Sequence, residues 1–176
     1  MWYEPDGSPF FVGEATGISS DGSFVVGGNY GDNTDPTNPA ATLFEPWLWS
    51  EATGVVPLGT IKGLRGAAVD GQHFARDVSD DGRTVVGQDT LFQLGEQWAF
   101  IWTAQNGIDA LQNFVRENTD PATAAMLCDA ERSPIMPACT NWDLWNTAAI
   151  SNDGKTIVGT GRNPDGLWEA FKVTLP

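Results

Sequence analysis

The chain has 176 residues, a formal net charge of −14 and a pI near 4.1. Its nine Lys and Arg residues are scattered, which argues against a nucleic acid partner because phosphate binding depends on clustered cations. No apolar run approaches the roughly 20 residues of a membrane-spanning helix, and no basic segment followed by an apolar core marks a signal peptide. The chain is therefore expected not to span a membrane, and to be either a mature form or a piece of something longer.

Residues 1–13 contain two short apolar segments, Met1-Trp2-Tyr3 and Phe10–Gly13. Trp2 lies five residues before Gly7, and the same spacing recurs twice further along the chain, where it joins two predicted strands. The opening residues are therefore predicted to be the third and fourth strands that end a preceding repeat.

Three segments repeat one pattern: an apolar residue and a serine, an Asp-Gly pair, and a short β-branched run that ends in glycine. They are Ile18–Gly27, Val78–Gly87 and Ile150–Gly159. Strand-forming residues on both sides of Asp-Gly predict a hairpin, since the pair suits a left-handed turn. The predicted turn residues are Asp21, Gly22, Asp81, Gly82, Asp153 and Gly154. Turn geometry explains these aspartates, so no catalytic role is assigned to them.

A second pattern follows each hairpin, with large apolar side chains on alternate positions, which is the period of a strand. It occurs at residues 45–50, 98–103 and 169–174. The two patterns and a glycine turn predict four-stranded antiparallel meanders over about 14–59, 74–112 and 146–175, the last ending after its third strand. The predicted fold is all-β: a partial β-propeller of three blades plus an incomplete unit, in one repeat domain over 1–176. About 13 strands are expected, with Trp49 and Trp102 in equivalent, largely buried places.

The loop at residues 31–38 is rich in hard oxygen ligands. Asp32, Asn33 and Asp35 are candidate calcium ligands, although the segment lacks the spaced carboxylates and the closing glutamate of a known calcium loop. Solubility in an extracellular or saline setting is the favoured explanation of the acidity. No cofactor is therefore expected, and calcium is kept as the alternative.

Residues 113–145 interrupt the repeat, and helical signals occur at this point. Apolar residues over Ile108–Val115 have three- and four-residue spacing, and Asp120-Pro121 is a cap followed by a proline at the first helical position. Two short helices are therefore predicted, on a rim of the propeller where insertions between strands lie.

The two cysteines, Cys128 and Cys139, lie in the same insertion. With a single histidine, His73, far away in sequence, they do not make a four-ligand zinc site. A disulfide that closes the insertion is predicted, which implies an oxidising compartment, and two reduced buried cysteines are the alternative. Trp142 and Trp145, where the insertion ends, are candidate binding residues.

The repeated patterns resemble those of bacterial extracellular repeat proteins, the HAF family, whose β-propeller-like blades carry a His-Ala-Phe signature. The matching triplets are Trp98-Ala99-Phe100, Glu169-Ala170-Phe171 and the more divergent Glu45-Pro46-Trp47, so the histidine is replaced in each. The resemblance covers most of the chain. It implies a propeller-like fold and export, and it brings no catalytic residues.

Two classes of function follow from these patterns. The chain lacks the catalytic motifs of hydrolases, metalloproteases and P-loop enzymes, so no catalytic residue is assigned and an enzyme is not favoured. The preferred function is a noncatalytic extracellular, cell-surface or periplasmic module that binds a protein or glycan through rim loops. The alternative is a carbohydrate-active or other hydrolytic enzyme that uses acidic rim residues. Because three blades do not close a ring, the chain is expected to form a homo-oligomer or to associate with the rest of a longer propeller.

Overall fold

A computed structural model describes residues 13–29, 45–59, 61, 71–91, 96–129 and 140–176. The fold is all-β with antiparallel sheets, as the sequence predicts, and eleven strands form three sheets in this part of the chain. The first sheet contains β1 (Gly13–Ile18), β2 (Phe24–Asn29), β3 (Pro46–Ser50) and β4 (Gly54–Pro57). The second contains β5 (Gly71–Val78), β6 (Thr84–Leu91), β7 (Glu96–Thr103) and β8 (Gly107–Ala110). The third contains β9 (Asp143–Ile150), β10 (Thr156–Arg162) and β11 (Trp168–Thr174).

Each sheet is a meander, because its strands pair in chain order. The third sheet has three strands among the described residues, so β11 lies at its edge. The strands predicted within residues 1–12 lie outside the described residues. Two short helices, α1 (Leu111–Asn118) and α2 (Pro121–Ala124), connect the second sheet to the third.

One aromatic side chain covers a glycine in each sheet. Phe100 in β7 is paired with Gly87 in β6, and a Cβ on this glycine would lie 2.5 Å from the phenyl ring. Trp47 over Gly27 and Phe171 over Gly159 repeat the arrangement. The glycine that ends each hairpin pattern therefore leaves room for the aromatic ring of the next strand.

The three sheets are stacked face to face in chain order. One buried apolar cluster joins the first sheet, through Val26 and Leu48, to the second, through Val78 and Phe100. A second cluster joins the other face of the second sheet to the third sheet and α1. Its members are Val86, Ala99, Ile101, Leu111, Val115, Leu144, Ile150, Ile157 and Phe171. The second sheet thus has a neighbour on both faces, whereas the outer sheets have one each among the described residues.

Hydrogen bonds between equivalent parts of neighbouring sheets fix this stack. Ser20 donates its backbone N–H and its hydroxyl to the Asp80 carboxylate at 2.8 and 2.7 Å. Asp80 in turn donates its backbone N–H to the Asn152 carbonyl at 2.9 Å. Asp77 accepts from the Ile150 N–H at 2.8 Å. These bonds link turns and strand ends that lie 60 or more residues apart in sequence.

The first helix begins later than the sequence predicts. Ile108 was expected in a helix but lies in β8, opposite Trp102 of β7. Sheet pairing outweighs the helical spacing here because it satisfies the backbone groups of residues 107–110. The prediction that the insertion lies on a rim is also incomplete, since Leu111 and Val115 of α1 are fully buried between the second and third sheets.

The predicted equivalence of two tryptophans is confirmed. Trp49 and Trp102 occupy equivalent places, opposite Val25 and Val85, and the larger part of each residue is buried. Trp102 lies at the border of the first cluster. Trp49 lies on the face of the first sheet that has no neighbouring sheet among the described residues.

Candidate functional site: the two open sheet faces

The front face of the first sheet is an apolar surface without a neighbouring sheet among the described residues. We define it by Ile18, Val25, Trp47 and Trp49, which are joined by strand pairing on one side of the sheet. Ile18 is 60% exposed, although the equivalent residues Val78 and Ile150 are 3% and 7% exposed.

This difference has a simple cause. Val78 and Ile150 each lie in the cluster that joins their sheet to the preceding one, and Ile18 has no preceding sheet in the described chain. An exposed apolar residue at the position of a repeat interface, here Ile18, indicates a surface that another unit can cover.

The back face of the third sheet is the outer face at the other end of the stack in the described chain. We define it by Val158, Thr160, Arg162, Ala170 and Lys172. Val158 is 39% exposed, whereas the equivalent residues Val26 and Val86 are fully buried against the next sheet.

The back face is more polar than its equivalents. Lys172 occupies the position that Leu48 and Ile101 fill in the other sheets, where both are buried. The face therefore presents a cation, Lys172, next to the apolar side chain of Val158.

An aromatic and cationic cluster borders the back face. The indole rings of Trp145 and Trp168 meet edge to face, with centroids 4.6 Å apart. The Arg162 guanidinium lies 5.3 Å from the Trp145 ring centroid and 5.0 Å from that of Trp168. The Trp145 indole N–H donates to Asp143 at 3.2 Å, and Trp168 is 54% exposed. Trp145, a predicted binding residue, therefore lies beside exposed aromatic surface, and the sequence patterns did not single out Trp168 or Arg162.

An apolar cavity of about 310 Å³ lies beside the edge strand β11. Residues 170–174 of β11 line one side, and the helical segment lines the other with Val115, Met126 and Leu127. Trp142, the second predicted binding residue, also lines this cavity. The two tryptophans of the prediction thus belong to different surfaces.

The three hairpin turns share one hydrogen-bonding pattern. Ser19 donates its hydroxyl to Asp21 at 2.8 Å and accepts from the Phe24 N–H at 3.0 Å. The Ser23 N–H donates to the same aspartate at 2.9 Å, and Gly22 has a φ of +76°. Asp81 with Gly82 and Asp153 with Gly154 repeat this pattern in the second and third sheets. Each turn is longer than a two-residue Asp-Gly turn, and its aspartate acts as an acceptor.

These bonds hold the turn aspartates ionised. Hydrogen bonds from the Ser23 hydroxyl and N–H, and from the Ser19 hydroxyl, lower the pKa of Asp21 from 3.8 to about 2. The Arg83 N–H and the Ser79 hydroxyl lower the pKa of Asp81. In the third turn, the pKa of Asp153 is lowered by the hydroxyl of its serine. A carboxyl with a lowered pKa is poorly suited to act as a general acid.

A buried contact between a histidine and an aspartate was not predicted from the sequence. His73 in β5 and Asp89 in β6 are cross-strand neighbours, with Nδ1 and Oδ2 2.9 Å apart, and both side chains are buried. A hairpin centred on Asp81 places His73 opposite Asp89, which could have suggested this pairing. However, the register of the two strands shifts between Ala75 and Asp77 in the same hairpin, and this shift is not visible in the sequence pattern. The pair joins two strands of one sheet and does not line the cavity beside β11.

The other predicted site residues are only partly placed. Cys128 is buried, and its Sγ lies 3.4 Å from the Asn141 carbonyl oxygen. Cys139 lies outside the described residues, so the disulfide stays a prediction. The candidate calcium ligands Asp32, Asn33 and Asp35 also lie outside them. Within the described ranges, no cluster of three or more His, Cys, Asp or Glu residues could hold a metal ion.

No family model matches the chain, and no curated protein is similar to it. A solved structure of a protein provisionally assigned as TolB from Agrobacterium tumefaciens superposes with a TM-score of 0.43 at 13% identity. The match covers 93% of this chain and 50% of that protein, so the chain spans about half the length of this neighbour. At this level the likeness carries no argument about activity. Among the described residues, no helix is long and apolar enough to cross a membrane.

Proposed function

We propose that the chain is a noncatalytic binding or structural module of the β-propeller type. It acts by docking its front and back faces against further sheets. The observation that carries this proposal is the exposure of Ile18 and Val158 at positions that are buried in every other repeat. Each interface between two repeats of the stack buries these positions. The same apolar packing is therefore available to a partner at both ends of the stack.

Three finer features belong to the proposal. We propose that the repeats are of the HAF kind, supported by the aromatic residue that covers a glycine in each sheet. We propose export to the cell surface, the periplasm or the medium, supported by the acidic composition and by two cysteines within one insertion. Rim loops that bind a protein or glycan remain part of the proposal, as does calcium in the loop at residues 31–38.

A hydrolytic enzyme receives less support from the described residues. A glycosidase needs a carboxyl with a raised pKa facing a second carboxylate. Hydrogen bonds lower the pKa of four described carboxyls, those of Asp21, Asp81, Asp120 and Asp153. The buried carboxylate of Asp89 is paired with His73, and that of Asp143 accepts from the Trp145 indole.

Light scattering on the 176-residue chain, with charged substitutions on each face, tests the proposal. The wild-type chain is expected to associate, and Ile18→Lys or Val158→Lys is expected to weaken association. Leu167→Lys is the matched control, because Leu167 is 63% exposed and lies in the turn between β10 and β11. A stable, folded, monomeric wild-type chain would overturn the proposal.

A further inference from the structure

We propose that Trp145, Arg162 and Trp168 form a binding site for an acidic glycan. A sugar ring packs on the exposed part of the Trp168 indole, and its carboxylate binds the Arg162 guanidinium. We call these three residues the rim cluster, because they lie near the turn over residues 163–167 that joins β10 to β11. This inference rests on the glycan binding in the proposed function, and it names the site and the class of ligand.

The repeat architecture does not account for the residues of the rim cluster. Arg162 in β10 pairs with Trp168 in β11. The pair at the same place in the second sheet, counted from the glycine under the aromatic ring, is Thr90 with Gln97. A sheet of this kind therefore forms without an aromatic ring or a cation at this position.

Trp168 offers an apolar platform that is held in place. It is 54% exposed, and its ring meets that of Trp145 edge to face with centroids 4.6 Å apart. Trp145 is itself fixed, since its indole N–H donates to Asp143 at 3.2 Å. The face of an aromatic ring is partly negative, so it attracts the partly positive C–H groups on one face of a pyranose ring. An exposed and fixed indole therefore suits a sugar.

The turn before Trp168 is also held by hydrogen bonds. The Asn163 side-chain oxygen accepts from the N–H groups of Asp165 and Leu167 at 3.0 and 2.9 Å. The side-chain amide of Asn163 donates to Glu169 at 2.9 Å, and its backbone N–H donates to the Leu167 carbonyl at 3.0 Å. A site that is ordered before its ligand arrives loses less entropy on binding.

Arg162 supplies the preference for an acidic ligand. Its exposed side chain places the guanidinium 5.3 and 5.0 Å from the ring centroids of Trp145 and Trp168, and it makes no ion pair within the described residues. Asp143 lies opposite Arg162 across the strands, but its carboxylate is buried and accepts from the Trp145 indole. A guanidinium that stacks on aromatic rings keeps the N–H groups at its edge, which match a carboxylate.

A glycan fits the rim cluster better than a protein. The core of a protein interface is depleted of charged residues, and a sheet packed over Arg162 would bury a cation without a carboxylate. Docking at Val158 leaves room for both contacts, because Arg162 lies four residues further along β10, about 13 Å at the spacing of a strand.

Calorimetric titration of the full chain with trigalacturonate tests the class of ligand, and galactotriose is the neutral counterpart. We expect trigalacturonate to bind at least about tenfold more tightly, because charge-assisted hydrogen bonds to a carboxylate are stronger than neutral ones. Equal affinity for the two sugars, or no binding of trigalacturonate, would overturn the inference. A triglutamate peptide that binds as tightly as trigalacturonate would replace the glycan with a protein partner.

Three variants test the site. Trp168→Ala is expected to weaken trigalacturonate binding at least about tenfold, because the platform is removed. Arg162→Gln should bind the two sugars with similar affinity. Leu167→Ala is the matched control, since Leu167 is the neighbouring residue and is 63% exposed, and it should bind as the wild type does. Unchanged binding by Trp168→Ala would place the ligand elsewhere and contradict the site.

The indole N–H resonances give an independent measurement on the unmodified chain. Trigalacturonate should shift the signals of Trp145 and Trp168 and leave that of the buried Trp98 in place. Shifts that spare both residues of the rim cluster would refute the site. Light scattering on the same samples separates the two proposals. A chain that associates but binds no sugar would sink this inference alone, and a monomeric chain that binds trigalacturonate would refute the docking of sheets alone.

Discussion

The packing of one sheet on the next can be tested at Gly82, in the turn of the second sheet. Gly82 has a φ of +66°, and a Cβ added there would lie 2.4 Å from the ring of Phe24 in the first sheet. Gly54 is a matched control, since its φ is also +66° and an added Cβ would meet no atom within 4 Å. The two glycines therefore have the same φ and differ in the contact with Phe24.

The expected costs follow from these two terms. Gly54→Ala should lower the free energy of unfolding by about 1–2 kcal/mol, the cost of a side chain in the left-handed region. Gly82→Ala carries the same cost, and overpacking against Phe24 adds about 1–3 kcal/mol. Adding Phe24→Leu to Gly82→Ala should recover part of the excess, because the ring that clashes is removed.

Urea unfolding followed by tryptophan fluorescence measures all four chains: wild type, both glycine variants and the double variant. Equal free energies of unfolding for Gly82→Ala and Gly54→Ala would refute this account, since the turn of the second sheet would then not touch Phe24. A double variant no more stable than Gly82→Ala would contradict the assignment of the clash to this ring.

Three further predictions concern the turn, the sheet contact and the insertion. The pKa of Asp21 is lowered to about 2 in the folded chain, so its stabilising effect is present above pH 3.8 and is lost as the pH falls toward 2. In Asp21→Asn the midpoint of urea unfolding should vary less with pH over this range, and the same pH profile as the wild type would contradict the turn bonds. Asp77→Ala removes the acceptor of the Ile150 N–H and should cost about 1–3 kcal/mol of unfolding free energy, whereas a neutral result would rule out this link between sheets. Mass spectrometry without reductant should find Cys128 and Cys139 two hydrogens short of the thiol form, with reduction costing about 3 kcal/mol of stability; two free thiols would exclude the disulfide.

The strand pattern of the fold could be predicted because residues close together in the sequence determine it. Ser19, Asp21 and Gly22 fix a turn through bonds within six residues, and the alternation at Trp47 and Trp49 has the period of a strand. The start of α1 could not be placed by the same means. Ile108 fits a helical spacing and a strand equally well, and its pairing with Trp102 decides between them.

The candidate site could not be predicted from local sequence patterns, because it depends on contacts between residues that lie far apart in the sequence. Ile18 and Ile150 carry the same sequence signal, yet one is exposed and the other buried, because burial depends on which sheet lies next to each. Trp168 and Arg162 come together with Trp145 through the pairing of β9, β10 and β11. The pairing of His73 with Asp89 likewise depends on a register that includes an irregular strand.

Hydroxyl-radical footprinting of the assembled chain tests the central claim most directly, because it reports solvent access at single side chains. Ile18 and Leu167 have similar exposure in the isolated chain, at 60% and 63%. If the front face docks against another sheet, oxidation of Ile18 should fall well below that of Leu167 at concentrations where the chain associates, and Val158 should be protected with it. Equal oxidation of Ile18 and Leu167 in the assembled chain would contradict the claim.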